Sequence, residues 1–100
     1  MRLVVDIDDT LIYSKLENGE YILEGYNLKL IKILNNLYYK GCDIILYTGR
    51  HWNHLHITLD QLLSGNIKYT TLIMAKPVGD YYIDDKAILP EDFIKLQEKI

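Results

Sequence analysis

Asp6, Asp8 and Asp9 stand together in VVDIDDTL, directly after a run of apolar residues. Like charges this close repel one another and resist leaving water, so the cluster costs stability unless a cation or a reaction makes use of it. Further along, Thr48-Gly49-Arg50, Lys76 and Asp84-Asp85 each follow another short apolar run. Hydroxyls and cations of this kind can hold a phosphate. Paired carboxylates can hold a hard cation such as Mg²⁺, which takes one or two side chains and keeps several waters. A calcium loop does not fit, because the glycine and distal glutamate of an EF-hand are missing. His51, His54 and His56 suggest zinc, but their spacing does not put all three on one helical face and no cysteine or carboxylate completes a tetrahedral set. Arg50 and His51 are expected instead at a substrate entrance, where the arginine could contact a second anionic group.

These residues can meet only if strands carry them to one edge. Residues 3–7 form a β-branched, nearly continuous apolar run, the pattern of a strand buried on both faces. Asn18-Gly19 lies between two segments of mixed polarity, a strong hairpin signal, and predicts a small exposed flap over about residues 12–25. Asn27 can cap a helix running to about Tyr39, with Leu28, Ile31, Leu34, Leu37 and Tyr38 on one face and Gly41 as its stop. A second strand is predicted over 43–47, a second helix over about 53–63, a third strand over 71–74 and a fourth over 81–83. Pro90 suits the first turn of a final helix. Strands alternating with helices imply an α/β fold with a parallel sheet, whose ligands bind beyond the carboxyl ends of the strands. One connection is short: only residues 75–80 separate the third and fourth strands, and a parallel crossover usually needs a dozen residues or more.

The totals set outer limits. One hundred residues make a single domain with room for one hydrophobic core, and 49% hydrophobic with 25% charged residues is ordinary globular composition. A net charge of −3 gives no basic footprint for a nucleic-acid backbone, so a polymer of that kind is disfavoured as partner. The single cysteine, Cys42, cannot form an internal disulfide, and no apolar run approaches the ~20 residues that span a bilayer. A cytoplasmic protein without a membrane partner is the expectation.

With its Asp-x-Asp-x-Thr pattern after an apolar strand, VVDIDDTL resembles the first motif of the haloacid dehalogenase-like (HAD) phosphatase superfamily. Thr48, Lys76 and Asp84-Asp85 fall in the order of that superfamily's other three motifs. The stretch AKPVGDYYIDDKAILPEDF is further similar to small capsular polysaccharide biosynthesis phosphatases of the same superfamily. The resemblance implies a three-layer Rossmann-like HAD core, with a short parallel sheet flanked by helices, a hairpin flap after strand 1 and no cap domain. It also implies roles: Asp6 as the nucleophile that becomes an aspartyl-phosphate, Asp8 as general acid and base, Thr48 bonding a phosphoryl oxygen and Lys76 neutralising charge in the transition state. Mg²⁺ would be held by Asp6, the Asp8 carbonyl and the acidic pair, with Asp85 favoured as direct ligand and Asp84 behind it or pairing Lys76. No further aspartate follows Asp85 at the short interval usual in the superfamily. Thr10, Gly49, Arg50 and His51 would line the substrate side, Thr10 by steadying the loop, and Asp9 is expected to be a bystander.

The function so implied is Mg²⁺-dependent hydrolysis of a small phosphomonoester such as a sugar phosphate. An open site would take its cover from the flap, from a large substrate, or from a second copy of the chain in a homo-oligomer. Two rivals use the same residues: a polynucleotide 3′-phosphatase or nucleotidase, and a non-catalytic module that kept the fold and lost turnover.

Overall fold

A computed structural model of the chain describes residues 1–99. In chain order these form β1 (Arg2–Asp6), the hairpin strands β2 (Ile12–Glu17) and β3 (Glu20–Tyr26), α1 (Leu28–Tyr39) and β4 (Asp43–Tyr47). A 3₁₀ turn, Trp52–His54, then leads into α2 (Leu55–Ser64), followed by β5 (Thr71–Ile73) and α3 (Pro90–Glu98). Three strands make a parallel sheet in the order β1-β4-β5, while β2 and β3 make a separate two-stranded sheet.

Register is what aligns the site. Asp6 lies opposite Tyr47, and Tyr47 opposite Ile73, so the three strands end level with one another. Ladder bonds run on past those ends, from Ile7 N to Tyr47 O at 3.1 Å, Thr48 N to Ile73 O at 3.0 Å and Lys76 N to Thr48 O at 2.9 Å. The segments after β1, β4 and β5 are thus tied together by backbone before any side chain is considered.

Leu3, Val5, Ile44, Leu46 and Leu72 share one face of the sheet, because parallel partners in register point the same way. Leu30, Ile31 and Leu34 of α1 and Leu62 of α2 pack into the core with them, and Phe93 and Ile94 of α3 join at its margin. Both connections step in the same direction along the sheet, so right-handed crossovers put α1 and α2 on the same side. The opposite face is left open, with Val4 61% and Ile73 47% exposed. The described residues thus form a small α/β fold of one short parallel sheet with helices packed on its buried face.

Asn27 caps α1 as its sequence position predicts, accepting from Leu30 N at 3.2 Å, and its amide also donates to Thr10 O at 3.1 Å. A cap of this kind is worth about 1 kcal/mol, and here it also pins the loop that follows β1.

The predicted fourth strand does not form: residues 77–89 contain no helix or strand, and Tyr81 and Ile83 are 86% and 98% exposed. Local bonds explain the outcome. Tyr82 Oη donates to Pro77 O at 3.1 Å and accepts from Gly79 N at 3.3 Å, closing the segment on itself and leaving β1 as an edge strand. Elsewhere the predicted elements differ from the observed ones by a residue or two, as element ends commonly do. Among the described residues no helix is long and apolar enough to cross a membrane.

Candidate active site

A cavity of about 300 Å³ opens at the carboxyl ends of the strands, lined among others by Asp6, Asp8, Gly49, Lys76 and Tyr82. Asp6 ends β1 with one oxygen engaged: its Oδ1 accepts from Ile7 N at 3.0 Å and from Lys76 Nζ at 3.1 Å. No hydrogen bond from the described residues reaches Oδ2. Burial lifts the Asp6 carboxyl above its ordinary value of 3.8, with Lys76 and the Ile7 amide pulling the other way and the Asp8 charge adding a smaller upward push.

Lys76 follows β5 across a sharp bend, since Ala75 adopts φ of +59°, a left-handed conformation that costs a non-glycine residue energy. The bend is held by Ala75 N donating to Arg50 O at 2.8 Å. Its ammonium is 4.1 Å from the ring centre of Tyr47 and 4.5 Å from that of Tyr82, so two aromatic faces hold it over Asp6. Gly49 is the place where the two loops cross; a β-carbon there would fall 2.5 Å from Val78 Cγ2.

Asp8 is gripped far more tightly than Asp6. Its Oδ1 accepts from Arg50 Nη2 at 2.8 Å and Nε at 3.1 Å, and its Oδ2 from Thr48 Oγ1 at 2.8 Å and Arg50 Nε at 3.3 Å. Ser14 Oγ adds a long contact to Oδ1 at 3.5 Å.

Two expected roles change accordingly. Arg50 does not serve the entrance: its side chain is 0% exposed and its guanidinium is spent inside the protein, so it has no fork left for an outside anion. Thr48, expected to bond a phosphoryl oxygen, is fully buried, and its hydroxyl instead donates to Asp8 and accepts from Arg50 N at 3.1 Å. His51 is exposed before the 3₁₀ turn and stands outside the cavity. Asp9, expected as a bystander, lines the cavity mouth in a left-handed turn with φ of +60°.

The acidic pair is not brought to Asp8. Asp85 is exposed in the irregular segment, whereas Asp84 shares with Asp6 and Thr10 a second cavity of about 440 Å³ along the free edge of β1. Among the described residues no three of histidine, cysteine, aspartate and glutamate cluster as a metal site. Asp6 and Asp84 line that same cavity, where Asp84 Oδ1 accepts from Lys86 N at 2.9 Å. Two carboxylates and retained waters suit Mg²⁺. Of the acidic pair, Asp84 lines this cavity with Asp6 and Asp85 is exposed outside it.

The hairpin is less free than a flap. Gln61 Nε2 donates to Tyr21 O at 3.0 Å, Tyr26 Oη donates to Gln61 O at 2.6 Å, and His54 Nε2 lies 2.8 Å from Gly19 O. Tyr21, Ser14, Thr58 and Gln61, which surround Arg50, carry no motif and are found only through the packing of the hairpin on α2.

No protein-family model matches the chain, and no curated protein matches it. Among solved structures it is similar to the crystal structure of an MCSG target from Vibrio cholerae, with a TM-score of 0.76 at 24% identity over 97% of this chain and 91% of that one. A likeness at that identity extends to the fold.

Proposed function

We propose that the chain is a HAD-like phosphomonoester hydrolase that works through an aspartyl-phosphate on Asp6, with a small phosphorylated metabolite such as a sugar phosphate as substrate. One observation carries this reading: a carboxylate with one unengaged oxygen, held 3.1 Å from a ring-flanked lysine at the rim of a cavity of about 300 Å³. A carboxylate is a competent phosphoryl acceptor when nearby positive charge offsets the repulsion between anions.

In the first step Asp6 Oδ2 bonds to phosphorus and the ester oxygen departs with its electron pair, taking a proton from the Asp8 carboxyl. Lys76 supplies positive charge beside the phosphoryl group as negative charge gathers there. In the second, water attacks the phosphorus, the bond to Asp6 breaks with its electron pair returning to Asp6, and Asp8, having given up its proton to the leaving oxygen, takes the proton from water. Mg²⁺, held by Asp6 and Asp84, would add further charge neutralisation.

Size and charge favour a small substrate over a polymer. Both cations at the cavity are already paired, Lys76 with Asp6 and Arg50 with Asp8, leaving no basic track for a nucleic-acid strand. The test is hydrolysis of a panel of sugar phosphates, nucleotides and 3′-phosphorylated oligonucleotides, with Mg²⁺ and with chelator. Release of phosphate from sugar phosphates only with Mg²⁺ is the expected result. Preference for the oligonucleotides would transfer the assignment to a polynucleotide phosphatase, and inertness toward the whole panel would leave a binding module.

A further inference from the structure

We propose that Arg50 is a positioning residue: its buried guanidinium fixes the Asp8 carboxylate as the base for hydrolysis of phosphorylated Asp6, using the hairpin and α2 as its anchor. The proposal rests on the phosphatase reading above. An arginine that opens toward a phosphate cavity would ordinarily be expected to bind the phosphate. Here every direction of the fork is taken. Nε and Nη2 face Asp8, Nη2 also donates to Ser14 Oγ at 3.3 Å, and Nη1 donates to Gln61 Oε1 at 2.8 Å and Thr58 Oγ1 at 3.2 Å. The Tyr21 ring covers the flat face, 4.2 Å from Cζ.

Three segments thus fix one plane: β2 and β3 through Ser14 and Tyr21, α2 through Thr58 and Gln61, and the loop after β4 through the backbone of Arg50 itself. Thr58 is in turn held by donating to His54 O at 2.7 Å. A lysine could supply charge at this position but not the fork, so it could not hold both Asp8 oxygens and the α2 anchor at once.

The consequence falls unequally on the two chemical steps. Attack by Asp6 on the ester needs nothing from Asp8 when the leaving group departs without a proton, as p-nitrophenolate does. Hydrolysis of the intermediate does need it: water oxygen bonds to phosphorus, the Asp6–phosphorus bond breaks with its electron pair returning to Asp6, and the water proton passes to Asp8. Loosening Asp8 therefore slows the second step alone, and enzyme accumulates in the phosphorylated form. A residue that merely supported the fold would lower the active fraction without raising the phosphorylated share.

The experiment compares wild type with Arg50→Lys, using p-nitrophenyl phosphate and Mg²⁺, rapid mixing, acid quench and intact mass. Arg50→Lys is expected to keep the initial burst of p-nitrophenol, to lose about 100-fold in kcat, and to carry phosphate on a larger share of the enzyme at steady state. Unchanged kcat, or a fall in kcat with no rise in the phosphorylated share, overturns the proposal. Gln61→Leu removes the α2 anchor while keeping the charge pair, and decides the matter if Arg50→Lys does not fold. A smaller change in the same direction supports the assignment, and a phosphorylated share equal to that of wild type defeats it. The two levels separate in the wild-type control: absence of phosphorylated wild-type enzyme overturns the phosphatase reading itself, whereas its presence with no change in the variants overturns only the role of Arg50.

Discussion

Asp6→Asn is expected to lose at least about 10⁴-fold in kcat toward any phosphomonoester the wild type hydrolyses, while folding normally. The amide keeps the shape and still accepts from the Ile7 N–H, but it is no nucleophile toward phosphorus. Its effect on stability carries a sign that a damaged fold would not reproduce. Burial holds the Asp6 carboxyl above 3.8, so the folded state prefers the neutral form. The wild type therefore has the full stability contribution of this group below 3.8 and loses it as pH rises through the raised folded value. The variant never ionises there, so it should melt at or above the wild type at pH 7, and the gap should close as pH falls below 3.8. Thermal melts across that range, beside a kinetic assay, check both parts. Appreciable turnover by a folded Asp6→Asn variant would remove the nucleophile from the mechanism.

Lys76→Met should cost about 10²–10³-fold in kcat, with a smaller change in KM, because the ammonium is asked to act where charge develops rather than to recruit substrate. The thioether can still pack between Tyr47 and Tyr82, which keeps the bend at Ala75 in place. Removing the ammonium also removes the largest influence that lowers the Asp6 carboxyl, leaving burial unopposed from that side. The acidic limb of the rate profile is expected to move to higher pH for that reason. Steady-state kinetics from acid to neutral pH would show it; an unchanged kcat would reduce Lys76 to a structural partner of Asp6.

Much of this site is legible in the sequence because it depends on the backbone. Residues 3–7 and 43–47 read as apolar runs, and once such runs lie side by side in a parallel sheet, whatever follows them must meet at one edge. Asp6, Thr48, Gly49 and Lys76 are legible in that way. Asn18-Gly19 and Asn27 were equally readable, since a left-handed turn and a helix cap each favour few residue types. The failures have physical reasons too. YYIDD has the composition of a strand, but its pairing depends on reaching the edge of β1 across a very short connection, and the bonds among Pro77, Gly79 and Tyr82 compete with that path. The role of Arg50 was hidden for another reason. Arginine next to a phosphate site suggests an anion contact, and only the packing of the hairpin on α2 puts Ser14, Tyr21, Thr58 and Gln61 around it. Those partners lie from 8 to 36 residues away in the chain, beyond the reach of any local pattern.

The proposed chemistry places the phosphoryl group on one particular carboxylate among three neighbours, Asp6, Asp8 and Asp9. Quenching wild-type enzyme during turnover of a sugar phosphate and treating it with borohydride reduces an acyl phosphate to an alcohol, which peptide mapping then locates. Conversion of Asp6, dependent on substrate, is the predicted result. No converted peptide, or conversion at Asp8 or Asp9, would contradict it.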